Sequence, residues 1–241
     1  MMACLRRIWP RALAASVLPN HFHLLAEAED AARERVRLAR AVAAFARHRG
    51  KGRIWEPLPE PTRVADRRHL QRTTRYVLLN PVRAGLVSDP LCWQHTTLRG
   101  VLGAEYDPWV PASHLAGALS HRGAFRRWFH AYVAADPRVP DAARIFPQAA
   151  PSSDTPAALL ADILAAAEAA TPWSSEPLRR QAFVLLARHQ GWHGTREVAR
   201  ASGISERQVH RLAGRFHPEL LAAAALCLGD PRLRIASRPI C

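Results

Sequence analysis

Ala12-Leu13-Ala14-Ala15-Ser16-Val17-Leu18-Pro19-Asn20-His21-Phe22-His23-Leu24-Leu25-Ala26 is a short apolar run broken only by Ser16 and the Pro-Asn-His step, with two imidazoles on alternate residues. Strand side chains alternate faces, so His21 and His23 are expected to point the same way and Phe22 into the opposite layer. Pro19 lacks an amide proton and belongs at a strand entry, a bulge or an edge. Two neutral imidazoles on one strand face can bind one divalent cation. The plainer reading is a pair of histidines that only hydrogen-bond, since an isolated His-x-His arises often by chance. Zinc is a third option, but no cysteine lies nearby and no His-Glu-x-x-His spacing exists.

A second stretch runs from Asp66 to Asn80 and carries Leu70, Tyr76, Val77 and Leu79 as part of an apolar face. Asp66 is a plausible N-cap, so the stretch reads as a helix. It is expected to end near Asn80, because Pro81 disfavours the α conformation in the residue before it. Tyr76 and Asn80 are then neighbours one turn apart. A phenol with a reference pKa of about 10 is a poor nucleophile unless a cation or base assists it. A divalent ion beside a phosphate would polarise the P–O bond and orient it for in-line attack. Asn80 offers a neutral oxygen ligand beside the two imidazoles. The plainer reading is a half-buried tyrosine whose hydroxyl finds one partner. Of the three tyrosines, Tyr76, Tyr106 and Tyr132, only Tyr76 has this company.

Taken together, Leu18-Pro19-Asn20-His21-Phe22-His23-Leu24-Leu25 and Tyr76-Val77-Leu78-Leu79-Asn80-Pro81-Val82-Arg83-Ala84-Gly85-Leu86-Val87 resemble two motifs of one family. It is the IS200-like, single-tyrosine transposases of the HUH class, and within them the REP-associated branch. Trp93, Leu98 and Leu102-Gly103 are similar to that family's trailing tryptophan segment, so the resemblance covers about residues 10 to 105. It implies a ferredoxin-like antiparallel sheet with helices on one face, acting on single-stranded hairpin DNA. It also implies that His21 and His23 bind Mg²⁺ or Mn²⁺, with Asn80 as third protein ligand. Tyr76 would attack to leave a 5′-phosphotyrosine and a free 3′-OH, and Arg83 is a candidate DNA contact.

Two departures stand out. Only a short basic stretch precedes the His strand, so the usual first strand is missing or lies upstream; its loss would expose a sheet edge. The segment Glu56-Pro57-Leu58-Pro59-Glu60-Pro61 does not suit a DNA-facing strand. Both leave open an inactive, domesticated remnant that binds DNA without cutting it.

The chain has a formal net charge of +14, most of it arginine, so a polyanion is the natural partner. A GC-rich coding bias explains Arg over Lys, but not the excess over Asp and Glu. No stretch reaches the roughly 18 apolar residues of a spanning helix, and no clean signal peptide is present. Cys4, Cys92, Cys227 and Cys241 form no motif, which suggests reduced thiols in a cytoplasmic, nucleoid-associated protein.

Along the chain, residues 30–49 read as a helix ended by Gly50-Lys51-Gly52, and residues 115–135 as a further helical stretch. Phe125, Trp128, Phe129 and Tyr132 form an aromatic stripe in that stretch, read as packing rather than base stacking. The expected organisation is a transposase-like domain over 1–112, a helical extension over 113–135, a linker over 136–156 and an all-α helix-turn-helix domain over 157–235. In the last, Thr195 would cap a helix from Arg196 to Ala201. Ser202-Gly203-Ile204 would turn, and Ser205 would cap a second helix from Glu206 to about Gly214. Val198, Ala199, Ile204, Val209 and Leu212 fit its small core. Arg196, Arg207, Gln208, His210 and Arg211 are the candidate contacts to duplex DNA. An ordinary three-helix bundle is the alternative. Active single-tyrosine relatives are often dimers, but nothing in this sequence fixes the oligomeric state.

Overall fold

A short helix, α1 (Met2–Ile8), leads into β1 (Ala12–Val17), and the chain turns back through Pro19 and Asn20 into β2 (Phe22–Ala26). The structure, a computed structural model, describes residues 1–48, 58–139, 145, 147–152 and 155–234. The architecture is α+β, with one two-stranded antiparallel sheet and many helices. The expected Gly50–Gly52 helix stop, Trp55, Cys241 and part of the proline-rich segment lie outside the described residues.

β1 is buried at every position, whereas β2 is mostly half-buried. The reason is that β1 has partners on both edges. On one side Ser16 pairs with His23 and Val17 with Phe22; on the other an isolated bridge joins Ser16 to Thr96. The Val17 amide donates to the His95 carbonyl at 2.9 Å and the Thr97 amide to the Ala15 carbonyl at 3.0 Å.

α2 (Ala31–His48) follows, then α3 (Arg67–Arg83), which packs on β1 and β2. Asp66 caps α3 as expected, its carboxylate accepting from the His69 amide at 2.8 Å. The helix does not stop at Asn80, however. It runs through Pro81 to Arg83, with Leu78, Leu79, Asn80, Pro81 and Val82 all buried. Proline lacks the amide for one helical bond, and burial of this last turn offsets the loss. The end comes at Gly85, at a left-handed φ of 68°, with the Leu86 amide donating back to the Pro81 carbonyl at 2.9 Å.

A short 3-10 helix (Pro90–Cys92), α4 (Leu98–Leu102), α5 (Ala112–Ala118) and α6 (Phe125–Ala134) complete this part. The helical stretch expected over 115–135 is thus two helices, broken where Ser120 and Gly123 take φ values of 49° and 92°. Then come α7 (Leu160–Ala170), α8 (Glu176–His189), α9 (Thr195–Ser202), α10 (Glu206–Ala213), α11 (Pro218–Gly229) and α12 (Pro231–Arg234). None of the described helices is long and apolar enough to cross a membrane.

One hydrophobic cluster runs from Leu5 and Leu78 through Phe129 to Ile163, Phe183 and Leu220. Polar contacts bind the same junction. The Tyr106 amide donates to the Ala170 carbonyl at 2.7 Å, the Cys227 thiol to the Ala104 carbonyl at 3.2 Å, and the Arg99 guanidinium to the Arg232 carbonyl at 3.2 Å. Trp173 Nε1 donates to Glu105 Oε2 at 3.1 Å. Burial pushes the Glu105 carboxyl up to about 7, against the Trp173 hydrogen bond and the charges of Arg99 and Arg6. The folded pKa is raised, so the stability carried by neutral Glu105 is present below about 4.5 and lost as pH rises through about 7. Glu105→Gln keeps an acceptor for Trp173 and is always neutral. It is expected to raise the thermal midpoint at pH 8 and change it little at pH 5; an equal change at both values would refute the buried-carboxyl account.

The histidines slope the other way. His23, His95, His130 and His189 are each held below the ordinary imidazole range, burial being the first cause in every case. Their folded pKa values are depressed, so stability is fully present above about 6.5 and lost as pH falls from there through the folded values. Thermal melts of Glu105→Gln, which lacks the opposing carboxyl, are expected to show a falling midpoint between pH 7 and pH 5. A flat profile would count against buried neutral imidazoles.

Candidate functional site

β2 and α3 meet so that one imidazole and one phenol face each other. His21, just ahead of β2, and His23, within it, have ring centroids 5.0 Å apart at 88°. The His23 ring lies 5.5 Å from the Tyr76 ring at 87°. Tyr76 is 44% exposed. The Arg83 guanidinium sits 4.8 Å over the Tyr76 ring, a cation–π contact along one face of α3. Arg83 also reaches Asp136 at 3.7 Å, and Arg75 and Arg138 approach the same carboxylate at 3.9 and 3.7 Å. Asp136 is buried to 9% exposure, so it is an anchor for arginines rather than a solvated acid.

Both imidazoles have a ring nitrogen that could serve a cation. His21 Nδ1 lies 2.8 Å from Asn20 Oδ1; as a donor to that oxygen it leaves Nε2 with a lone pair. His23 Nε2 is buried with no hydrogen-bond partner. Burial, then the neighbouring His21, keep His23 below the usual imidazole pKa and hence neutral at pH 7. Ser16, the cross-strand partner of His23, is fully buried and its hydroxyl also lacks a partner. Directly paired residues share a sheet face. Two orphaned buried polar atoms side by side are costly unless something satisfies them. A hydrated divalent cation, taking imidazole nitrogen on one side and giving a water to the serine on the other, fits that donor set.

Asn80 is one turn beyond Tyr76 and buried, with Nδ2 donating to the Tyr76 carbonyl at 3.1 Å. Its Oδ1 is the atom that can serve a cation. Among the described residues no group of three or more His, Cys, Asp or Glu is placed to hold a metal ion. A groove of about 520 Å³ borders Tyr76 and is lined by Asp66, His69, Arg72 and Thr73. The Ala65 amide donates to His69 Nδ1 at 3.2 Å, so in the neutral ring Nε2 carries the proton and can donate.

The candidate duplex-binding residues sit elsewhere. α9 ends on Gly203 at a left-handed φ of 66°, and Ser205 and Gln208 form a reciprocal capping box at the start of α10. Gln208 therefore spends its Oε1 on the Ser205 amide at 3.0 Å. Arg196, Arg207, His210 and Arg211 are exposed, while Val209 and Leu212 face inward. Thr195 does not cap α9. Gly194 takes that place, and the Thr195 hydroxyl accepts instead from Arg188 at 3.1 Å.

Ser16, Asn20, Arg75 and Asp136 were not singled out from the sequence. Asn20 carries a local signal, a short amide beside a histidine. Ser16 needs the strand register, and Asp136 needs the packing of α6 on α3, neither of which is visible in a linear pattern. Compared with models of protein families, with curated proteins and with solved structures, the chain matches none.

Proposed function

We propose that this chain is a metal-dependent, single-tyrosine DNA strand transferase, a transposase that nicks and rejoins single-stranded DNA at hairpin-associated sites. The observation that carries the reading is the meeting of two neighbouring imidazoles, one just ahead of the half-buried strand β2 and one within it, with an exposed phenol on α3. In the reaction, Tyr76 Oη loses its proton and attacks the scissile phosphorus. A tyrosyl P–O bond forms, the P–O3′ bond breaks, and the 3′ oxygen takes up a proton. Attack of a 3′-OH on the phosphotyrosine runs the step in reverse and joins a new strand. Mg²⁺ or Mn²⁺ held by His21, His23 and Asn80 would polarise the phosphate. Arg83 lies beside the phenol, where its positive charge would attract a phosphate.

On this reading the hairpin β1–β2, with the 95–97 segment on its far edge, is the reduced sheet of a ferredoxin-like domain. α9 and α10 are a helix-turn-helix in which Arg196, Arg207, Gln208, His210 and Arg211 hold duplex DNA. The site of action is then the nucleoid, in the cytoplasm, and a homodimer is compatible with it. A second reading, a catalytically inactive DNA-binding remnant, draws support from a sheet of only two named strands among the described residues.

The test uses labelled single-stranded hairpins from the DNA flanking the gene, with Mg²⁺, Mn²⁺ or EDTA, on a denaturing gel. A covalent protein–DNA adduct that needs metal, Tyr76 and His21 supports the transferase. Hairpin binding without an adduct in any metal supports the remnant.

A further inference from the structure

α6 carries two aromatic stripes, and only one of them is needed for the core. Phe125 and Phe129 are 7% and 0% exposed and stack on each other at 5.3 Å. Trp128 and Tyr132, on the flank of the same helix, are half-buried. Their planes are within 3° of parallel, with centroids 5.4 Å apart. The column continues in both directions. His121 stacks on Trp128 at 4.2 Å and 19°, and the Arg75 guanidinium lies 5.2 Å over Tyr132. Four flat groups therefore stand in one pile, built from α3, α6 and the turn before α6.

The two ends of the pile differ. Arg75 shares Asp136 with Arg83, and Arg83 covers the ring of Tyr76, so this end joins the candidate nucleophile. The other end is His121, half-exposed in the turn between α5 and α6. The charges next to it in sequence and on α6 are of one sign. Arg122 and Arg127 are exposed and make no ion pair among the described residues, and α6 itself carries no acid. The first acid after α6, Asp136, is already engaged by three arginines.

We infer that this column is a stacking platform for single-stranded DNA, taking one unpaired base as the next plane on His121, with Arg122 and Arg127 on the flanking phosphates. A π-face flanked by guanidinium groups matches a flat base with anionic phosphates on either side. Duplex DNA does not fit, because its base faces are already covered by their neighbours. The inference borrows the unpaired strand from the proposed function but does not need Tyr76 to react.

The experiment measures affinity alone, in the full chain carrying Tyr76→Phe, so a missing adduct has no bearing on it. His121→Ala, in an exposed turn, is expected to weaken binding of a hairpin with a single-stranded flank by about 10-fold, and His121→Phe to restore it. Replacing flank nucleotides one at a time by abasic sites is expected to abolish the difference between the parent and His121→Ala at one position. Blunt duplex is expected to bind both proteins equally. Unchanged hairpin affinity in His121→Ala, or a loss equal for hairpin, abasic strand and duplex, overturns the inference. Trp128→Phe is the second variant: it keeps a ring in the column, and folded protein with near-parent affinity is the expected result. A tenfold loss there, with parent-like affinity in His121→Ala, would relocate the effect to packing and likewise overturn it.

Discussion

Tyr76→Phe is expected to remove the covalent protein–DNA adduct altogether, a fall of roughly 10³-fold or more in strand cleavage, while hairpin affinity stays close to that of the parent. The substitution deletes one oxygen and leaves the ring. The His23 edge contact at 5.5 Å and the Arg83 contact at 4.8 Å both involve that ring, so the local packing has no reason to change. Because 44% of the residue is exposed, loss of the hydroxyl strands no buried partner. A chemical effect is thus cleanly separable from a structural one. Quantitative gel analysis of adduct and free 3′ product, beside a binding titration, measures both. Adduct formation at the parent rate would show that another residue is the nucleophile, and would retire the transferase reading built on α3.

Asp230→Ala is expected to cost about 3–5 kcal/mol, the range for breaking a buried ion pair from one side. In a chain of this size that lowers the thermal midpoint by about 10 °C. Asp230 is fully buried and accepts from Arg232 three times: from the amide at 3.1 Å, from Nε at 2.9 Å and from Nη2 at 2.6 Å. Arg232 Nη1 reaches Asp89 at 2.8 Å, and its carbonyl accepts a hydrogen bond from Arg99. Removing the central carboxylate leaves a mostly buried guanidinium with one acid in place of two. Urea unfolding reads the loss directly. A change below about 1 kcal/mol would place this pair with exposed bridges, whose contributions are of that size.

Much of the local structure was legible because its causes are local. The alternation at His21 and His23 needs only strand geometry, the cap at Asp66 needs only its own helix, and the Ser205 box is written in four residues. The coarse α+β class follows from such signals. What escaped has causes at long range. Pro81 argues for a helix end, yet the burial of Leu78 through Val82 against the sheet carries α3 past it. Thr195 argues for a cap, yet Arg188 on another helix claims its hydroxyl. For the candidate site, a strand bearing imidazoles and a helix bearing a phenol can be read separately. That they meet, with Ser16 behind His23 and Asp136 behind Arg83, depends on register and helix packing that no single stretch encodes.

On the proposed reading, the junction of Arg99, Asp89, Asp230 and Arg232 would also act as a ruler. It ties α12 and the end of α11 to the segment that follows α3. A protein gripping duplex with one end and a nick site with the other would then tolerate a single spacing between them. Specificity would be written in the separation of two DNA features as much as in their bases, and sliding the flank by half a helical turn would turn the bound duplex away from the nucleophile.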